Sequence, residues 1–274
     1  MVQKTQISFW GVRGSYPVPD KAMQKIGGNT ACVALHHKKQ WIVFDSGTGI
    51  IPLGQKLFKN REAIWIAWTH LHWDHVLGLP FFAPLQEKGR KIALIGSQKK
   101  MNRILHQPFF PVTLGMFPAK LAWRSIGSDW SRIGDIWIHA FPVQHTSPTV
   151  GYHLILPSGA RVVHVADGEL SLQDRHFLSR IEGVDLLIHD AQFSRDEYVG
   201  RKGAARKGWG HSCFLDVVAA AIQADVKRLF LFHHSPKASD QELARRLRQA
   251  QALIRRKKSR LICDLAQEGK AVSI

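Results

Sequence analysis

The chain has 274 residues, 45% of them hydrophobic, and 38 Lys and Arg stand against 21 Asp and Glu for a formal net charge of +17. That is enough apolar material for one large domain with a substantial core. No apolar run approaches a bilayer span, and three distant cysteines, Cys32, Cys213 and Cys263, exclude a disulfide framework and a paired zinc knuckle. The N-terminal residues 1–6 lead straight into a strand-like segment without a signal-peptide core, so a cytoplasmic, non-membrane protein with reduced thiols is expected, and the charge calls for an anionic partner.

Strand-like runs are predicted at residues 6–10, 31–36, 41–44 and 63–68, with a helical pattern over 52–58. The last of these strands, Ala63-Ile64-Trp65-Ile66-Ala67-Trp68, runs into Thr69-His70-Leu71-His72-Trp73-Asp74-His75. Four metal-competent side chains fall within six consecutive positions there, as His-x-His-x-Asp-His. In extended backbone, residues two apart point to one side. His70 and His72 can then share one metal, while Asp74 and His75 face a second as the chain turns. Neutral imidazole and carboxylate suit zinc, manganese or iron better than calcium or magnesium. The segment 76–81 reads as a short helix or a turn.

Further strands are predicted at 92–95, 136–141, 151–156, 161–165, 185–188, 228–232 and 260–263, and helices at 98–106, 172–180, 212–224 and 240–257. Many strands with interspersed helices predict an α/β layered protein with mixed sheets, read as one domain over residues 1–274. Several of these strands end on another metal-competent group: His145, Asp167, His189-Asp190 and His233-His234. Each is weak alone, and Asp167-Gly168 is also an ordinary turn pair. Their recurrence at strand ends, where open α/β sheets place their chemistry, is the stronger signal. The last helix opens on a capping-box pattern, Ser239-Asp240-Gln241-Glu242. Leu243, Leu247, Ala250 and Ile254 line one face of it, and Arg245, Arg246, Arg248, Arg255, Arg256, Lys257 and Lys258 decorate the others. Without interleaved aromatics, a solvated face is at least as good a reading of that helix as a nucleic-acid site.

Together these segments resemble the metallo-β-lactamase superfamily along nearly the whole chain. Phe9-Trp10-Gly11-Val12-Arg13-Gly14-Ser15, Gly27-Gly28-Asn29-Thr30 and Phe44-Asp45-Ser46-Gly47-Thr48-Gly49 resemble the N-terminal signatures of its phosphodiesterase-like hydrolases. The resemblance implies a four-layer αββα sandwich with the metal site at the edge between two sheets. Carried over residue by residue, His70, His72 and His145 would hold one ion, Asp74, His75 and His233 a second, and Asp167 would bridge them. His233 is preferred to His234 because it directly follows the apolar run, although alternation cannot settle that choice.

Two more segments narrow the chemistry. Leu187-Ile188-His189-Asp190-Ala191-Gln192-Phe193 and Gly208-Trp209-Gly210-His211-Ser212 resemble the His-Glu-Ala-Thr and His-Ser-Thr segments of the tRNA 3′-processing endonucleases. By that resemblance His211 contacts the scissile phosphate and Asp190 orients it. A helix opening near Ser212 could favour the anion as well, and the run from Arg201 to Lys207 could form a basic lip. The implied mechanism is attack on phosphorus by a hydroxide bridging two divalent transition-metal ions, zinc first among them. Asp74 would orient that nucleophile or take its proton, and His211 would hydrogen-bond the phosphate or protonate the leaving alkoxide.

The tRNA-processing enzymes carry a long arm between the segments matching His145 and Asp167, and about twenty residues separate these here. A cyclic nucleotide or another small phosphodiester is therefore the expected substrate. A nuclease on single-stranded nucleic acid, a glyoxalase-II-type thioester hydrolase and a non-catalytic nucleic-acid-binding module are the alternatives. Ser235 stands where close relatives often carry an aspartate, which removes one carboxylate from behind the metal ligands. A homodimer is expected by resemblance alone.

Overall fold

The computed structural model describes residues 4–201 and 203–274. The expected absence of a leader falls partly on residues 1–3, and the basic lip partly on Lys202, both outside the described residues. The first half of the chain gives β1 (Gln6–Gly11), β2 (Cys32–His37), β3 (Gln40–Phe44), β4 (Ala63–Ala67), β5 (Lys91–Ile95) and β6 (Lys120–Arg124). The second gives β7 (Ser131–Ile133), β8 (Ile136–Val143), β9 (Thr149–Ile155), β10 (Arg161–Val165), β11 (Leu186–Asp190), β12 (Arg228–Phe232) and β13 (Ile262–Leu265). A last strand, β14 (Ala271–Ser273), returns to the first sheet, whose order is β14-β1-β2-β3-β4-β5-β6; the second runs β13-β12-β11-β10-β9-β8-β7. Both sheets are mixed. Strands β3 to β6 are parallel to one another, as are β10 to β13, and antiparallel hairpins complete each sheet.

The layering follows from period-two burial on strands with two apolar faces. In β2, Val33 and Leu35 point into the core between the sheets, whereas Cys32 and Ala34 pack under the helix layer with Ile50, Leu53 and Leu57 of α1 (Ile50–Leu57). In β3, Ile42 and Phe44 point inward while Trp41 and Val43 point outward. A strand buried on both sides reads as continuous hydrophobic sequence, which is why these runs were recognisable but their faces were not. The outer face of the second sheet is covered by α4 (Arg175–Ile181), α6 (Phe214–Gln223) and α7 (Asp240–Arg256), through residues such as Val217, Ala220, Leu243 and Ala250. Two sheets between two helical layers make the expected four-layer sandwich.

Three strands escaped the sequence reading: β6, β7 and β14. The last two have three residues each, and β6 is half exposed with a charge at either end. Short edge strands carry little periodicity. Three shorter α-helices are α2 (Trp73–Val76), α3 (Gln98–Ile104) and α5 (Arg195–Tyr198); α2 begins inside the histidine-rich motif rather than after it. Helix α7 keeps half of its expected capping box. Ser239 accepts the Glu242 N–H, but the Glu242 carboxylate turns to Arg245 and Arg246.

Candidate metal centre and active site

Parallel strands end along one edge of each sheet, and the chemistry collects there. The loop after β4 delivers His70 and His72, α2 delivers Asp74 and His75, and the β8–β9 turn delivers His145. Asp167 follows β10, Asp190 closes β11 and His233 follows β12. His70 and His72 do lie on one side of their segment, with ring centroids 4.3 Å apart. Donor atoms of His70, His72, His145 and Asp167 lie within 4.8 Å of one another, and so do those of Asp74, His75 and His233.

Asp167 joins the two groups through its two oxygens. Its Oδ2 is 3.7 Å from His70 Nε2 and 3.6 Å from His145 Nε2. Its Oδ1 is 3.0 Å from both His75 Nε2 and His233 Nε2. Asp74 Oδ2 stands 3.2 Å from His233 Nε2 and 3.5 Å from His75 Nε2. Yet His70 Nε2, His75 Nε2 and Asp167 Oδ1 are buried without a hydrogen bond among the described residues. Orphaned buried donors and acceptors are costly, and coordination of a cation by these lone pairs would satisfy them together.

The electrostatics ask for the same occupant. Burial, then the charge on His75, hold His70 down at about 2, which keeps its imidazole neutral with a lone pair to offer. Burial opposes a charge on His75 too, but Asp167, Asp74 and Asp45 outweigh it and raise that imidazole well above its ordinary value. Three carboxylates around one ring mark a pocket that demands positive charge, and divalent cations meet that demand. The residues present therefore fit a two-cation centre.

Four of the donors are aimed from behind, as metal-ligating groups usually are. His145 Nδ1–H donates to the Gly210 carbonyl at 2.7 Å, and His233 Nδ1–H to Gln192 Oε1 at 2.9 Å. His75 Nδ1 lies 3.0 Å from Asp45 Oδ2, and Asp74 Oδ2 accepts the Ser15 N–H at 2.6 Å. His233 takes a left-handed backbone (φ 52°), which turns its ring into the cluster. The next residue, His234, points away and bonds the Ala266 carbonyl at 2.9 Å.

Next to this cluster, His211 Nδ1 sits 2.7 Å from Asp190 Oδ2 and 3.9 Å from Asp167 Oδ2, its ring stacked on His233. Burial works against the imidazolium, but Asp190, then Asp167 and Asp74, outweigh it and lift His211 to about 9. Asp190 is itself fixed by the Gly168 and Gln192 N–H groups.

The family profile for the beta-lactamase superfamily domain matches residues 40–234. The chain belongs to that superfamily, and it is a metal-dependent hydrolase. A ribonuclease Z from Clostridium tetani is 24% identical over 86% of this chain and 90% of its own length. Another, from Thermococcus gammatolerans, is 26% identical over 84% of each. Among solved structures, the metallo-β-lactamase fold protein YhfI from Bacillus subtilis superposes with a TM-score of 0.75 at 15% identity, covering 99% of this chain and all of that one. A diphosphatase of the PhnP family superposes at 0.71 and 18% identity over 98% of both, and zinc-bound PqqB from Methylobacterium extorquens at 0.73 and 16% identity over 98% of this chain and all of its own. These superpositions confirm the fold.

Two expectations change. The amides opening α6 favour no anion: the Phe214 N–H goes to the Phe193 carbonyl and the Asp216 N–H to Cys213. The Ser212 hydroxyl is consumed between Gly168 and Leu170. Arg246 does not decorate a solvated face. It is buried, with Nη1 on the Gln192 carbonyl at 2.8 Å and Nη2 on Glu197 at 3.0 Å, and so braces the residue that aims His233. Ser235 is buried, and its hydroxyl accepts the Lys237 N–H within the turn that follows His233 and His234. Asp45, Gln192, Gly210 and Ser15 were unassigned by the sequence reading, although all four lie inside the segments that carried the resemblance.

Proposed function

We propose that the protein, acting as one hydrolase domain over residues 1–274 in the cytoplasm, cleaves phosphodiester bonds of RNA. His70, His72 and His145 would hold one divalent cation, Asp74, His75 and His233 another, and Asp167 would serve both; imidazole-rich donors favour zinc, then manganese or iron. Bound there, the cations would supply Lewis acidity and an acidified water at neutral pH. Asp74, steadied by the Ser15 N–H, would orient the attacking water or accept its proton. His211 keeps Nδ1 on Asp190 and presents Nε2 to the phosphate. It stabilises the charge building on the phosphoryl oxygens, then donates its proton to the oxygen that leaves as the P–O bond breaks.

The Asp190–His211 pair beside Asp167 carries this reading, because thioester or lactam cleavage has no evident use for a second acid held over the metal cluster. RNA takes precedence over a cyclic nucleotide on two grounds: the net charge of +17 suits a polyanion, and the curated relatives named above are ribonucleases Z. A small diester is kept as the second reading by one observation. Between His145 and Asp167 the chain forms only the β9–β10 hairpin, with no projecting arm. A homodimer is part of the proposal by family resemblance only.

The test is a hydrolysis panel on zinc-loaded protein with single-stranded RNA, 3′,5′- and 2′,3′-cyclic nucleotides, an artificial phosphodiester, a glutathione thioester and a β-lactam. Cleavage of RNA, with loss of turnover but not of bound metal in His211→Ala, is the expected result. Cleavage of the cyclic nucleotides alone would move the assignment to the second reading. Turnover of the thioester that is indifferent to His211 would overturn both.

A further inference from the structure

Beside His70 and His72 lies a cavity of about 290 Å³, bounded by Trp68, Leu71, Ser97, Lys100 and Ser147. Its far wall is the start of α3, and the loop after that helix comes back to the metal motif. Phe109 from this loop is 61% exposed and packs its ring 6.3 Å from Trp73, itself 50% exposed although it stands between His72 and Asp74. Phe81, 55% exposed, meets Phe110 edge-on at 5.8 Å. Large rings in contact with solvent at the lip of a reaction centre are not explained by packing, because burying them would stabilise the fold. Lys100, which lines this cavity, is exposed and has no ion-pair partner among the described residues.

We propose that this wall is the binding track for unpaired nucleotides next to the scissile phosphate: a base stacks on the Trp73–Phe109 face, the cavity takes the sugar-phosphate beside His70 and His72, and Lys100 neutralises the neighbouring phosphate. Aromatic platforms interleaved with cations are the usual recognition chemistry of single strands, since every base offers a π-face. A duplex would not be bound this way, because its bases are already stacked. The inference rests on the phosphodiesterase reading and adds to it the strandedness of the substrate and the residues that select it.

The experiment uses zinc-loaded full-length protein and a short oligoadenylate, with a bis-aryl phosphodiester as the small substrate. Trp73→Ala is expected to lower the preference for oligoadenylate over the small diester, the ratio of the two kcat/KM values, by about 5- to 150-fold, the range that stacking of one base spans, and Lys100→Ala is expected to lower it as well. Trp73→Phe should restore most of the ratio, and Lys100→Ala should flatten the salt dependence of oligoadenylate KM by about one counterion. Equal zinc content in every variant checks that the ligands beside Trp73 are undisturbed. Parallel losses on both substrates in Trp73→Ala that Trp73→Phe does not repair would overturn the track, as would an unchanged ratio. Titration by tryptophan fluorescence separates the two ideas. Oligoadenylate that binds wild type and binds Trp73→Ala more weakly, but is never cut, sinks the ribonuclease reading and leaves the track standing. If the patch instead mates with a second copy, sedimentation will show Trp73→Ala and Phe109→Ala dissociating a dimer with the ratio unchanged, which overturns the proposal.

Discussion

Replacing Asp190 by Asn keeps the side chain's shape and one acceptor oxygen but removes its charge. In the protein His211 rises from 6.5 to about 9, mainly through the Asp190 charge and hydrogen bond at 2.7 Å, against the opposing effect of burial. That rise is about 2.5 units, or on the order of 3 kcal/mol of preference for the imidazolium. Asp167 and Asp74 supply part of it and are unaffected, so Asp190→Asn should lower His211 by about 1–2 units. Cations bound at the cluster will pull His211 below 9 in both proteins, but the difference between the two survives because they share those cations. The sign follows. His211 must be protonated to donate, so activity falls as pH rises through its pKa, and the basic limb of the kcat profile should move to lower pH in the variant. At pH 8 turnover should drop by at least about 2- to 10-fold, the loss of protonated imidazole when His211 falls by that much from about 9. The assay is a pH–rate series on an artificial phosphodiester, with metal content measured in parallel. A basic limb that stays in place, or an unchanged kcat at pH 8 with full metal occupancy, would refute the role of the pair.

Other perturbations follow from the same geometry. A Cβ added at Gly14 would sit 2.3 Å from His233 Cε1 and 2.8 Å from Gln192 Oε1, so Gly14→Ala should bind less than the full complement of zinc, as read by elemental analysis. Buried Arg13 holds the carbonyls of Gly27, Ser235 and Ala238 at 2.7–3.0 Å, tying the N-terminal loop to the turn after β12; Arg13→Ala should lose about 3–5 kcal/mol in urea denaturation. Burial, then His139, Arg161 and Arg180, depress His153 to about 4 from 6.5. Its neutral form therefore contributes stability in full above pH 6.5, and this is lost as pH falls toward 4, so His153→Gln should flatten the fall in melting temperature over that interval.

By itself the sequence determined the layered α/β class, most strands to within two residues and six of the seven candidate donors. The reason is physical: strands buried on both faces must be apolar along their length, and polar residues closing such runs have few roles besides chemistry. The choice between His233 and His234 was decided only in three dimensions, by a left-handed backbone at His233 that alternation along a strand cannot foresee. Asp45, Gln192, Gly210 and Arg246 were equally hidden, because their partners lie from 30 to 65 residues away along the chain and meet only where the parallel strands end. The opening of α6 went the other way. Its sequence suggested an anion site, but nearby carbonyls had taken its amides, and only the tertiary structure shows where a buried donor spends its hydrogen bond.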